Sequence, residues 1–122
     1  MNTDLLRSAG ACAIYLVIFI SGFYLSRSGK PYNGIVFNLH KLIALGAVVV
    51  FAVILYRTVP LSAGEFIAGA AAAVFFHGLF ITGGLASIDK RMPGIVLRLH
   101  HIFPYLAVLS TAIGLYFLGA SR

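Results

Sequence analysis

Residues 34–57 read GIVFNLHKLIALGAVVVFAVILYR, and Lys41 is the only charged residue in that stretch before Arg57. A helix of this length extends about 36 Å at 1.5 Å per residue, enough to cross a hydrocarbon core about 30 Å thick. Lipid offers nothing to hydrogen-bond an open backbone, so a run this apolar is stable in a bilayer only as a helix. Three further apolar runs, at about residues 9–26, 63–86 and 94–119, meet the same criterion. The connections are short and carry the residues that end helices: Arg27-Ser28-Gly29-Lys30-Pro31, Arg57-Thr58-Val59-Pro60 and Asp89-Lys90-Arg91-Met92-Pro93. Short connections force neighbours to run antiparallel. The expected fold is all-α, a single membrane domain over residues 1–122 built as an up-down-up-down four-helix transmembrane bundle.

Composition agrees with that placement. The 122 residues are 61% apolar and 10% charged, against about 45–50% and about 25% in soluble domains, so little remains from which to build a wetted surface or a second domain. The net charge of +6 is spread over the connections and run ends instead of lining a helix face interleaved with aromatics. It therefore reads as a topology signal, with no nucleic-acid partner expected. Cys12 is the only cysteine, which excludes an intrachain disulfide, and no C-x-x-C-H run exists for covalent haem attachment. The opening Met1-Asn2-Thr3-Asp4 carries an acid, and no small-residue cleavage pattern follows the first apolar run, so that run is expected to be a retained helix.

Charge also predicts orientation. Arg27, Lys30, Lys41, Lys90, Arg91 and Arg98 gather at the face holding the first and third connections, and Arg7, Arg57 and Arg122 at the other. The positive-inside rule makes the six-charge face cytoplasmic and both termini external, in the inner or cell membrane of a bacterium or archaeon. Tyr24, Tyr32, Tyr56 and Tyr116 lie near run ends, where amphipathic rings anchor at headgroups. Glu65, at the outer start of the third run, reads as a partner of that helix's N-terminal dipole.

The chain repeats itself. Gly34-Ile35-Val36-Phe37-Asn38-Leu39-His40-Lys41 aligns without gaps to Gly94-Ile95-Val96-Leu97-Arg98-Leu99-His100-His101, with five of eight positions identical. One gap further back, Ser21-Gly22 meets Thr82-Gly83. The repeat unit is thus a helical hairpin, and two pseudo-symmetric hairpins would be related by an axis along the membrane normal, with functional sites at the repeat interface.

All four histidines fall within or just inside the runs, where ionisable residues are costly and mark function. His40 and His100 each lie six residues into their helices, at a depth of about 9 Å. With axes about 9 Å apart, helices two and four would stand about 13 Å apart across the bundle diagonal. Two imidazoles each reaching roughly 6 Å to a shared iron span that distance, so one bis-histidine haem b fits. Ala44, Gly46 and Ala47 in the second run, and Gly69, the alanines 70–73, Gly78, Gly83 and Gly84 in the third, offer either flat space for a porphyrin or close helix packing. Lys41 and Arg98 flank the histidines, positioned to pair with haem propionates or to snorkel to lipid phosphates. His77 lies deeper, at about 13 Å, without a counterpart in the first run, as a substitute ligand, proton carrier or hydrogen-bond partner. His101, turned about 100° from His100, is expected to face headgroups or a neighbouring subunit. Pro104 removes the backbone bond to the His100 carbonyl and is expected to kink the fourth helix.

Leu39-His40-Lys41-Leu42 and Leu99-His100-His101, each heading a span, resemble the ligand-bearing helices of small b-type membrane cytochromes, over about half the chain. The resemblance implies an electron carrier, or the haem-bearing subunit of an oxidoreductase, exchanging electrons with quinone or a redox protein, alone or as a homo-oligomer. The family often places ligand pairs at two depths, whereas no histidine pair lies on the outer side here. Two other readings stay open: a transition-metal site of His40, His77 and His100 in a transporter or sensor, and a structural subunit without cofactor. The spans hold no nucleophile–base–acid set, phosphate loop or carboxylate pair, so hydrolysis and phosphoryl transfer are not expected.

Overall fold

The computed structural model describes residues 2–88 and 92–120. These form four helices, α1 Thr3–Ser28, α2 Gly34–Thr58, α3 Ala63–Ile88 and α4 Gly94–Ala120, with no strand among the described residues. All four are long and apolar enough to cross a membrane. The protein is an all-α integral membrane protein, as its composition demands.

Local chemistry sets the helix ends. The Asn2 side chain accepts the Asp4 backbone N–H at 3.1 Å and caps α1, which lets the helix begin about six residues before the apolar run at about residue 9. A hydropathy reading loses those turns because Asp4, Arg7 and Ser8 are polar; their place on a helix is fixed by the cap and by an Arg7–Asp4 pair at 3.6 Å. Gly29, at φ 68°, closes α1 by donating its N–H to the Leu25 carbonyl, a conformation that glycine adopts without steric cost. Asn33 Oδ1 accepts the N–H groups of Ile35 and Val36 at 3.0 and 3.2 Å and starts α2. At α3 the Ser62 N–H donates to Glu65 Oε2 at 2.6 Å while the Glu65 N–H donates to Ser62 Oγ at 3.3 Å. This reciprocal capping box satisfies two donors that the helix leaves open. Glu65 is thus the N-terminal partner expected of it, and it is buried.

The chain divides into two compact units, Met1–Tyr56 and Arg57–Arg122, and each contains one helical hairpin. In the second hairpin α3 presents small residues to the rings of α4. A Cβ on Gly64 would come within 3.1 Å of the Phe117 ring, and one on Gly78 within 2.5 Å of the Phe103 ring. Ala68 and Ala72 of α3 and Ala107, Gly114 and Leu118 of α4 are buried along the same seam. Lipid tails are as apolar as leucine, so shape-matched contact of this kind, more than hydrophobicity, holds membrane helices together. The first hairpin buries less: Ser21 and Leu25 of α1 and Phe51 of α2.

The basic residues at the loop end of the first hairpin lean on aromatic rings. Arg27 lies 5.7 Å from the Phe23 centroid, Lys30 5.9 Å from Tyr32 and Lys41 4.9 Å from Phe37, with Tyr32 stacked on Phe37 at 5.6 Å. Tyr24, Tyr56 and Tyr116 are exposed near helix ends, as headgroup anchors require. Of the other residues used to predict orientation, Lys90, Arg91 and Arg122 lie outside the described residues, as does Asp89 of the third connection.

Candidate functional site: two hydroxyl-bound histidines

The repeat converges on one local arrangement in each hairpin. In the first, His40 of α2 reaches across to α1, where its Nδ1 lies 2.9 Å from Ser21 Oγ. In the second, His100 of α4 reaches α3, where its Nδ1 lies 3.0 Å from Thr82 Oγ1. Each hydroxyl also contacts its own helix: Ser21 Oγ is 2.7 Å from the Val17 carbonyl and 3.0 Å from that of Ile18, and Thr82 Oγ1 is 2.7 Å from the Gly78 carbonyl and 3.3 Å from that of Leu79.

The glycine that follows each hydroxyl makes room for the ring. A Cβ on Gly22 would stand 3.0 Å from His40 Cε1, and one on Gly83 2.8 Å from His100 Cε1. Even a methyl group would displace the imidazole. Ser-Gly and Thr-Gly therefore form a two-residue seat, one atom to bond the ring and one absence to admit it. Both hydroxyl residues are buried and both histidines half-buried. In a bilayer an interhelical hydrogen bond of this type is worth about 0.6 kcal/mol on average and up to about 1.7 kcal/mol, so its value lies in holding the ring's orientation as much as in stability.

The other expected site residues are placed differently. His77 is exposed on α3 and its Nδ1 bonds the Ala73 carbonyl of its own helix at 2.7 Å, so it takes no part in the hydroxyl seat of its hairpin. His101 is exposed, one helical step from His100. Lys41 and Arg98 are exposed beside their respective histidines, with Lys41 held over Phe37. Pro104 lies within α4, which continues to Ala120. Of the small residues, Gly78 and Gly83 are consumed by contact with Phe103 and His100, whereas a Cβ on Gly46 or Gly84 would meet nothing within 4 Å.

The hydroxyl partners were present in the aligned Ser21-Gly22 and Thr82-Gly83 without their role being evident. The signal was positional. Folding each hairpin about its connection brings Ser21 opposite His40 and Thr82 opposite His100, because each pair is about equally far from its loop. The separations are 19 and 18 residues, so the single gap in the repeat falls between the hydroxyl and the histidine.

Neither hairpin gathers three His, Cys, Asp or Glu side chains among the described residues in a way that could hold a metal ion. No protein-family model matches the chain, and neither a curated protein nor a solved structure is significantly similar to it.

Proposed function

We propose that the protein is a b-type membrane cytochrome that carries one haem b, with His40 and His100 as its axial ligands. The observation that carries this reading is the duplicated seat: two half-buried histidines at equivalent positions of a repeat, each anchored through Nδ1 to a hydroxyl. Second partners of that kind are how proteins orient metal-ligating histidines. The donor chemistry fits haem better than a bare transition ion. A porphyrin supplies four nitrogens and asks the protein for only two imidazoles, whereas a closed protein site for zinc or copper needs three or four donors together, and neither hairpin gathers three such donors among the described residues.

Bound haem would supply one-electron transfer. The chain's own residues do the rest: His40 and His100 present imidazole nitrogen, Ser21 and Thr82 hold the rings, and Lys41 and Arg98 offer cations to the propionates. His77, bonded to its own helix, stands outside the ligand pair. Quinone or a redox protein at the cytoplasmic, basic end would exchange the electron, and the protein would act as a carrier or as a subunit of an oxidoreductase, in the cell membrane of a bacterium or archaeon with both termini outside.

The test is a visible spectrum of protein purified from membranes supplied with haem. The expected result is a Soret band and bands that sharpen on reduction, lost in His40→Leu and in His100→Leu and kept in His77→Leu and His101→Leu. A protein without a Soret band, or ligand variants that retain it, overturns the reading.

A further inference from the structure

The cations at the loop end of the first hairpin have no acid of their own to meet. Between Leu5 and Gly64 the sequence contains no aspartate or glutamate, and among the described residues neither Arg27 nor Lys41 has a carboxylate within ion-pair distance. Aromatic rings hold them instead. Arg27 Cζ stands 5.7 Å from the Phe23 centroid, Lys30 Nζ 5.9 Å from that of Tyr32 and Lys41 Nζ 4.9 Å from that of Phe37. Tyr32 and Phe37 stack at 5.6 Å with their planes 16° apart, so a single ring pair carries Lys30 from the loop and Lys41 from α2.

A ring face attracts a cation through its quadrupole and takes up none of its conventional hydrogen-bonding capacity. Arg27 and Lys41, both exposed, therefore keep their N–H donors for an anion while the rings fix where the charges stand. A guanidinium brings a planar fork of donors matched to phosphate oxygens, and an ammonium brings a compact charge. Tyrosine rings settle at headgroup level in a bilayer, and Tyr32 within the cluster sets that depth, which is where lipid phosphates lie.

We propose that the loop end of the first hairpin is a binding site for the headgroup phosphate of an anionic phospholipid, with Arg27 and Lys30 as its principal cations and the Tyr32–Phe37 pair as the shelf that holds it in shape. Charge complementarity selects the occupant. A phosphatidylglycerol headgroup has one net negative charge and calls only for cations and donors, which the cluster offers. The choline of a zwitterionic lipid calls for a carboxylate or an open ring face; residues 5–64 supply no carboxylate, and Arg27, Lys30 and Lys41 already lie over rings. Neither Arg27 nor Lys30 takes part in the proposed haem site, so the two sites stand or fall separately.

The test titrates the purified full chain, stripped of lipid in a neutral detergent, with short-chain phosphatidylglycerol, phosphatidylcholine or inorganic phosphate, and measures occupancy by native mass spectrometry. Phosphatidylglycerol is expected to bind more tightly than phosphatidylcholine. Arg27→Gln and Lys30→Gln should each weaken it by about fivefold, Arg27→Lys should restore most of the affinity, and Tyr32→Leu should weaken it although every charge is kept. Arg57→Gln, in the last turn of α2 at its opposite end, removes one charge and should leave the affinity unchanged. Circular dichroism checks that each variant keeps the native helix content. Equal affinity for the two lipids, no loss in Arg27→Gln and Lys30→Gln, or an equal loss in Arg57→Gln overturns the site, the last by reducing it to net charge. Inorganic phosphate that displaces phosphatidylglycerol at equal concentration overturns the lipid as occupant. A chain that selects phosphatidylglycerol in this way and never takes up haem would sink the cytochrome reading and support the lipid site.

Discussion

Replacing Gly83 with alanine asks whether the seat for His100 is as tight as the coordinates make it. The new Cβ would stand 2.8 Å from His100 Cε1, 3.4 Å from Nδ1 and 3.6 Å from Nε2. Ordinary contact begins near 3.4 Å, so the ring or the helix must retreat by about 0.6 Å. The imidazole is rigid and tied to Thr82 on the residue before, so it cannot swing aside without stretching the 3.0 Å bond. Overpacking a well-filled site costs about 1–3 kcal/mol. The change also raises helix propensity by about 1 kcal/mol, but Gly84→Ala has the same gain and meets nothing within 4 Å. Propensity cancels in the comparison, and Gly83→Ala should unfold about 1–3 kcal/mol more readily than Gly84→Ala, roughly 5- to 150-fold in the equilibrium constant. The assay is reversible denaturation in mixed micelles, followed by circular dichroism. Gly22→Ala, with its closest approach at 3.0 Å, should fall between the two. Equal stabilities for Gly83→Ala and Gly84→Ala would refute the close seat, and with it the claim that the ring's direction is fixed.

Other consequences can be checked alongside. Ser62→Ala removes one arm of the reciprocal cap on α3 and should destabilise the protein by about 1 kcal/mol in the same denaturation assay; Glu65→Ala should cost at least as much, because that residue is buried. Asn33→Ala, which strips the acceptor for Ile35 and Val36 N–H groups, should cost a similar amount and fray the start of α2, read as faster amide exchange at those two residues. Ala72→Leu places a large side chain at a fully buried position of α3 and should destabilise the α3–α4 hairpin by about 1–3 kcal/mol; a neutral effect would show that the seam is not close-packed.

What the amino-acid sequence determined alone was the set of elements. Uninterrupted apolar runs have one stable form in lipid, so four spans with short connections could be counted without coordinates, and three of the four begin at the expected residue. The repeat was legible too, down to the matched Ser21-Gly22 and Thr82-Gly83, because identical letters need no geometry to be seen. The histidines could be singled out by the cost of an ionisable group in hydrocarbon. Their partners could not. A Ser-Gly pair in an apolar helix reads equally as a packing notch, a back-bonded hydroxyl or a ligand seat, and which it becomes depends on the residue that faces it. Similarly, the small residues of α3 were compatible with flat cofactor space until Gly78 and Gly83 proved to receive Phe103 and His100. The difference has a physical origin. The bilayer acts on each segment separately, through composition that can be summed along the chain. The seat exists only between helices, where contacts of 2.9 and 3.0 Å depend on the rotation of each helix about its axis, and tertiary packing alone decides that rotation.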